Sequence, residues 1–142
     1  MSFLLDINVL SEVQKGGQCD GAVKEWWDAT DVMDVYLSVM VPGEIQRGIE
    51  KMFRKNSARA RLFESWLNSV EEEFQGRILK VDLETARMWG KMTSKRTLPL
   101  VDSLLAATSM VHGLILVTRN TKDIQDTGVS YLNPFEPVDF QT

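Results

Sequence analysis

The chain is poor in the residues that most often announce chemistry: one cysteine and one histidine in 142 positions. A lone Cys19 forbids an internal disulfide and cannot build a cysteine-rich zinc site. A lone His112 excludes acid–base chemistry that needs two imidazoles. Long apolar runs are missing too, and none approaches the ~20 residues of a membrane-crossing helix. No basic stretch precedes an apolar one at the N-terminus, so no secretory leader is expected and a cytoplasmic location follows. There is no glycine-rich phosphate loop of the P-loop type, no repeat and no low-complexity segment. Basic charge is not in excess either. A formal net charge of −4 argues against gripping a polyanion by bulk electrostatics, although bound cations and local basic patches can offset acids.

What is present reads as one soluble α/β domain spanning 1–142, with 44% hydrophobic and 25% charged residues. Apolar alternation and helical spacing predict strands near 2–6, 35–40, 77–81, 114–118 and 129–132. Helices are predicted near 8–14, 20–30, 43–55, 58–74, 82–94 and 101–112, with a break at Gly16-Gly17 and a loosely held tail from Pro134 to Thr142. Asp20 and Asp82 precede helical runs as N-caps. Gly113 stands where a left-handed C-terminal residue belongs, with His112 as a capping side chain before it.

Four carboxylates sit at the hinges of this pattern. Asp6 follows the strand Phe3-Leu4-Leu5, and Asn8 is available to cap the helix after it. Glu44 follows Pro42-Gly43 after the strand Tyr36–Met40, and Asp102 occupies the first turn of an apolar helix. Asp123 lies just beyond the strand Leu114–Val117 and Thr118-Arg119-Asn120. In an open sheet of parallel strands the carboxyl edge is where ligands bind, so these residues converge on one crevice. Gathered carboxylates repel, and folds that gather them usually do so around a hard cation with oxygen ligands. Metal-assisted phosphodiester hydrolysis fits that donor set best. Singly, Glu44 and Asp102 also read as first-turn acids favoured by the helix dipole, worth about 0.3–1 kcal/mol each, and Asp123 as a turn former.

The segments Leu4–Glu12, Gly43-Glu44-Ile45, Leu98–Thr108 and Leu116–Asp123, closed by Leu132-Asn133-Pro134-Phe135, resemble the successive motifs of PIN-domain ribonucleases, most closely the bacterial VapC/FitB-type toxins. The resemblance covers about 3–136. It implies a three-layer fold with a mostly parallel central sheet flanked by helices. It also implies an endoribonuclease dependent on Mg²⁺ or Mn²⁺, normally a homodimer, held inactive by a cognate antitoxin. By motif position, Asp6, Glu44 and Asp102 are the catalytic, metal-binding acids. Two departures stand out: Ile7 replaces a threonine that many members carry after the first Asp, and Asn120 replaces an acid two residues after Thr118. The fourth site position is therefore open between Asn120 and Asp123. Thr118, Asn120 and Asn8 are the expected orienting residues for substrate, water or phosphate.

Basic residues offer RNA contacts. Arg47, Lys51, Arg54, Lys55, Arg59 and Arg61 face only Glu50 over residues 47–61, an excess able to meet phosphates or simply a solvated helix face. Arg119 and Lys122 adjoin the motifs, as do Lys91, Lys95 and Arg96. The tryptophans Trp26, Trp27, Trp66 and Trp89 lie on helical runs and read mostly as core; Glu71-Glu72-Glu73 reads as an exposed face. Two rivals remain. An aspartyl-phosphate phosphotransfer protein or phosphohydrolase would use Asp6 as nucleophile, but Asn8 stands where such a phosphohydrolase carries its second Asp. A catalytically inactive adaptor is suggested by Asn120.

Overall fold

Period-two alternation in five short strands decides the layering. In this computed structural model, which describes residues 1–137, the strands are β1 (Phe3–Leu5), β2 (Val35–Ser38), β3 (Ile78–Leu79), β4 (Ile115–Val117) and β5 (Tyr131–Leu132). They form one sheet in the order β3-β2-β1-β4-β5 with every pairing parallel. Successive side chains of a strand point to opposite faces. Leu5, Val35, Leu37 and Val117 thus enter one core cluster, and Leu4 and Leu116 enter another on the opposite face.

Helices cover both faces, which gives the three layers expected. On the first face lie α1 (Ile7–Val13), α2 (Gly21–Asp28), α3 (Met40–Phe53) and α4 (Ser57–Glu73), contributing Val9, Val23, Ile45 and Val70 to that core. Val41, Ile45 and Ile49 form an i, i+4 stripe along α3. On the second face lie α5 (Leu83–Thr93) and α6 (Leu100–His112). Small buried residues of α6, Ser103, Ala106, Ala107 and Ser109, let it lie close against the strands. Trp26, Trp27 and Trp66 pack at the edge of the first core, and Glu71, Glu72 and Glu73 are exposed, both as expected.

Asp20 accepts from the backbone N–H groups of Ala22 and Val23, Asp82 accepts from that of Thr85, and Gly113 closes α6 at φ 66°. β2 stops at Ser38, β3 is confined to Ile78–Leu79 and β5 to Tyr131–Leu132, all shorter than expected, and the start of α3 differs in a way that bears on the site. Helix α3 begins at Met40, not near 43, because the Ser38 hydroxyl accepts from the Met40 N–H at 3.1 Å and Pro42 falls within a first turn that needs no N–H from it. Glu44 therefore sits a full turn inside α3, out of reach of the helix-dipole explanation. The expected tail from Pro134 to Thr142 begins as a turn at Pro134-Phe135; its part beyond Pro137 lies outside the described residues.

Arg77 has a role that no pattern signalled. It is buried and, among the described residues, has no carboxylate partner, its guanidinium donating to the carbonyls of Val35 (3.0 Å) and Glu73 (3.1 Å) and lying 5.0 Å from the centre of the Phe74 ring. Phe74 itself is fully buried. Phe74→Ala should cost about 3–5 kcal/mol through the lost transfer energy and the cavity left behind, read as a lowered midpoint in urea unfolding.

Candidate active site

The chain runs from β1 to β2 to β3 and then returns to place β4 on the other side of β1. Such a reversal of strand order opens a crevice at the carboxyl ends of the two strands that flank it. Leu5 is in register with Val117, so Asp6 and Thr118, the next residues of each strand, stand side by side at that crevice. The Asp6 N–H donates to the Val117 carbonyl at 2.9 Å.

Asp6 is 4% exposed and Thr118 2%, and a carboxylate so placed must be hydrogen-bonded. Its Oδ1 accepts from the Ile7 N–H at 2.7 Å; its Oδ2 accepts from the Thr118 hydroxyl at 2.7 Å and the Asn8 amide at 3.3 Å. Asp6, not Asn8, is thus the N-cap of α1, because the helix starts immediately after the strand. Asn8 instead bridges, accepting from the Arg119 N–H at 3.3 Å while it donates to Asp6. The Thr118 oxygen in turn accepts from the Asn120 N–H at 3.1 Å. Thr118 and Asn8 hold Asp6 directly, whereas Asn120 takes part through its backbone and is exposed.

Glu44 on α3, Asp102 in the first turn of α6 and Asp123 in the loop after β4 are each partly buried. Burial pushes the Asp6, Glu44 and Asp102 carboxyls above their ordinary range. Mutual repulsion adds to this: Asp6 and Asp102 raise Glu44, while Asp6 and Asp123 raise Asp102. For Asp6 the opposing hydrogen bonds from Thr118, Ile7 and Asn8 do not cancel burial, and for Glu44 the charge of Arg47 only partly compensates. Among the described residues, none of the four acids takes part in an ion pair. Nor do any three acidic, histidine or cysteine side chains there stand close enough to ligate one ion by themselves. The donor set is all oxygen and negative, which suits a hard cation that keeps several of its waters.

Two positioning contacts escaped the sequence. Ser103, beside Asp102, is fully buried; its hydroxyl accepts from the Trp89 indole at 2.9 Å and lies within bonding distance of the carbonyls of Pro99 (2.8 Å) and Leu100 (2.9 Å), which fixes the start of α6. Arg96 donates to the Asp123 carbonyl at 3.1 Å and pairs with Asp126, tying the loop before α6 to the loop that carries Asp123. Only the helical run around Trp89 and the nearness of Arg96 to the motifs hinted at either. Arg47, Lys51, Arg119 and Lys122 are all exposed, and the Arg119 guanidinium lies 4.5 Å from the centre of the Phe135 ring.

Comparison with known proteins places this geometry in context. The family profile described as PIN domain matches residues 3–129. The chain is 32% identical over 140 residues to the VapC ribonuclease Y4jK of Sinorhizobium fredii, covering 94% of this chain and 98% of that protein. It is 31% identical to the toxin FitB of Neisseria gonorrhoeae, covering 93% and 97%. The crystal structure of FitAcB from Neisseria gonorrhoeae superposes with a TM-score of 0.82 at 29% identity, over 94% of this chain and 98% of that one.

The raised carboxyls set the sign of a pH effect. A carboxyl that binds its proton more tightly in the fold than in the unfolded chain destabilises the fold when ionised, and that penalty disappears as pH falls through the folded pKa and below the unfolded one. In chelator, Glu44→Gln and Asp102→Asn should each raise the unfolding temperature at neutral pH. The gain should shrink towards zero on acidification below the ordinary values of 4.5 and 3.8. Thermal unfolding followed across pH checks this.

Proposed function

The chain belongs to the PIN-domain family, among its VapC/FitB-type members, and on that premise we propose that it is a metal-dependent endoribonuclease, the toxin of a toxin–antitoxin pair. The observation that carries the reading is a buried, triply hydrogen-bonded Asp6 carboxylate at the strand-order reversal, within the electrostatic reach of Glu44 and Asp102 and, among the described residues, without an ion-pair partner. Like charge at a sheet edge that Arg47 offsets only in part is a site prepared for a cation.

Asp6, Glu44 and Asp102 are the residues that would hold Mg²⁺, with Mn²⁺ as a substitute, and Asp123 is the fourth acid. Mg²⁺ commonly takes only one or two carboxylates besides waters and phosphate oxygens, so three converging side chains are not required. When bound, the ion polarises the phosphodiester and eases deprotonation of the attacking water. The chain's own groups do the placing. Thr118 and Asn8 lock the Asp6 carboxylate in one orientation. Asn120 faces solvent at the mouth, where its amide can orient water or phosphate. Arg119, Lys122, Arg47 and Lys51 supply positive charge for the RNA backbone on either side. Attack by water leaves the 2′-hydroxyl unused, so the products are a 5′-phosphate and a 3′-hydroxyl.

The aspartyl-nucleophile alternative is disfavoured because Asn8, where such a phosphohydrolase carries its second acid, is engaged in bridging Asp6 and the Arg119 N–H. The partners of this reading are an RNA substrate, a second copy of the chain and a cognate antitoxin in the cytoplasm. The antitoxin would lay a helix in a groove and present an arginine to the acidic cleft.

Asp6→Asn and Asp102→Asn should each abolish RNA cleavage while far-UV circular dichroism is unchanged, and chelator should abolish wild-type cleavage until Mg²⁺ or Mn²⁺ is restored. Full activity in either variant, or in excess chelator, rejects the site. Calorimetric titration of Mn²⁺ separates the two candidates for the fourth position. Asp123→Ala should weaken binding, by less than Asp6→Asn does, and Asn120→Asp should leave it unchanged or tighten it. Wild-type affinity in Asp123→Ala together with loss in Asn120→Ala would assign the position to Asn120 instead.

A further inference from the structure

Beside the acidic cleft, the loop after β4 and the edge strand β5 border an open cavity of about 370 Å³ lined in part by Thr121, Gln125, Tyr131, Asn133 and Glu136. That volume falls in the range of small-ligand pockets, roughly 300–1,000 Å³. Its position follows from the register. Val117 pairs with Leu132, and the Thr118 N–H donates to the Leu132 carbonyl at 3.0 Å, so Asn133 lies next to Thr118 on the same carboxyl edge. With neighbouring strands about 4.8 Å apart, β5 stands two spacings, or about 10 Å, from β1 and Asp6. Thr121 and Gln125 bracket Asp123 within one loop.

The lining is unsuited to phosphate and suited to a base. Among the described residues that line it there is no lysine or arginine; the cations Arg119 and Lys122 are exposed in the adjoining loop, where backbone phosphates would pass. Tyr131 is 40% exposed, leaving ring surface on which a base can stack. The Asn133 side-chain oxygen accepts from the Phe135 N–H at 3.0 Å, which turns its amide nitrogen into a fixed donor. Glu136 is exposed, and a carboxylate only accepts. Guanine is the base whose Watson–Crick edge sets two adjacent donors, N1–H and the N2 amino group, beside the acceptor O6. A carboxylate takes both donors, and an amide N–H meets O6.

We propose that this cavity is a nucleobase subsite that selects guanine in the RNA strand beside the scissile bond, with Tyr131 stacking on the base, Glu136 accepting from N1 and N2, and Asn133 donating to O6. The assignment rests on the nuclease reading of the acidic cleft. It divides labour along the carboxyl edge: Arg119 and Lys122 hold the backbone, and the cavity reads the sequence.

The test uses the full chain carrying Asp6→Asn, so that binding is measured without cleavage. Guanosine, adenosine, cytidine and uridine 5′-monophosphates are titrated against the isotope-labelled protein by NMR. Because all four carry the same phosphate, a difference among them reports the base. The guanine nucleotide should perturb Gln125, Tyr131 and Asn133 and bind several-fold more tightly than the others. Tyr131→Ala should weaken it roughly tenfold, the scale of one base–aromatic stack, and Glu136→Gln should remove the preference for guanine over adenine. In the cleaving protein both substitutions should raise KM for guanine-containing oligoribonucleotides by more than they lower kcat. Equal binding of the four nucleotides, shifts confined to residues outside the cavity, or an undiminished guanine preference in Glu136→Gln overturns the proposal. Failure of the nuclease reading would look different: no cleavage of any RNA by the wild-type chain in Mg²⁺, with the nucleotide titrations unaffected.

Discussion

A hydrogen bond of 2.7 Å from the Thr118 hydroxyl to Asp6 joins the ends of two adjacent parallel strands, and the cleft is organised around it. A carboxylate almost wholly removed from water is tolerated only with its lone pairs occupied. Three donors occupy them here, one from the start of α1, one from its second residue and one from the end of β4. The same contacts fix how α1 leaves the sheet and, through Asn8 and the Arg119 N–H, how the chain leaves β4. One buried group thus serves both as a helix cap and as the innermost acid of the cleft.

Around that group the fold accepts an electrostatic cost. Glu44, Asp102 and Asp123 approach it from three further segments, and burial and repulsion both disfavour the charged forms of Glu44 and Asp102. A fold optimised for stability alone would pair them with lysine or arginine; the ion pairs among the described residues, Glu12–Lys15, Lys24–Asp28 and Arg96–Asp126, lie elsewhere. Local destabilisation of this kind is the usual companion of a site that binds a charged ligand. Buried Ser103 and half-exposed Arg96 hold the acid-bearing segments in place without adding charge inside the cleft.

What the sequence made legible follows from which interactions are local. Strands and helices appeared because apolar periodicity and caps such as Asp20, Asp82 and Gly113 act within a few residues. The acids appeared because each follows, or opens beside, an apolar run. Non-local arrangements did not appear from pattern. The exchange of roles between Asp6 and Asn8 depended on where α1 starts, and the early start of α3 depended on the Ser38 hydroxyl. The contacts of Arg77 to Val35 and of Trp89 to Ser103 join residues that carry no shared motif. The convergence of the acids was legible from their places at strand ends, whereas the strand order β3-β2-β1-β4-β5 was not, because it rests on pairings between residues far apart in the chain. The cavity at Tyr131 and Glu136 had no sequence signal, since its walls come from two segments that pattern alone does not bring together.

The separation of Asp6 and Thr118 also sets an order in time. They stand 112 positions apart, and β1 lies between β2, formed early in the chain, and β4, formed late. A ribosome delivers residues at about 5–20 per second and the N-terminal part first, so Asp6 emerges seconds before the hydroxyl that anchors it. Until then β1 has no partner on its β4 side, and the loop bearing Asp123 has not been made. The cleft therefore assembles only when the last sixth of the chain is available, and a truncated or nascent product carries the leading acid without the site.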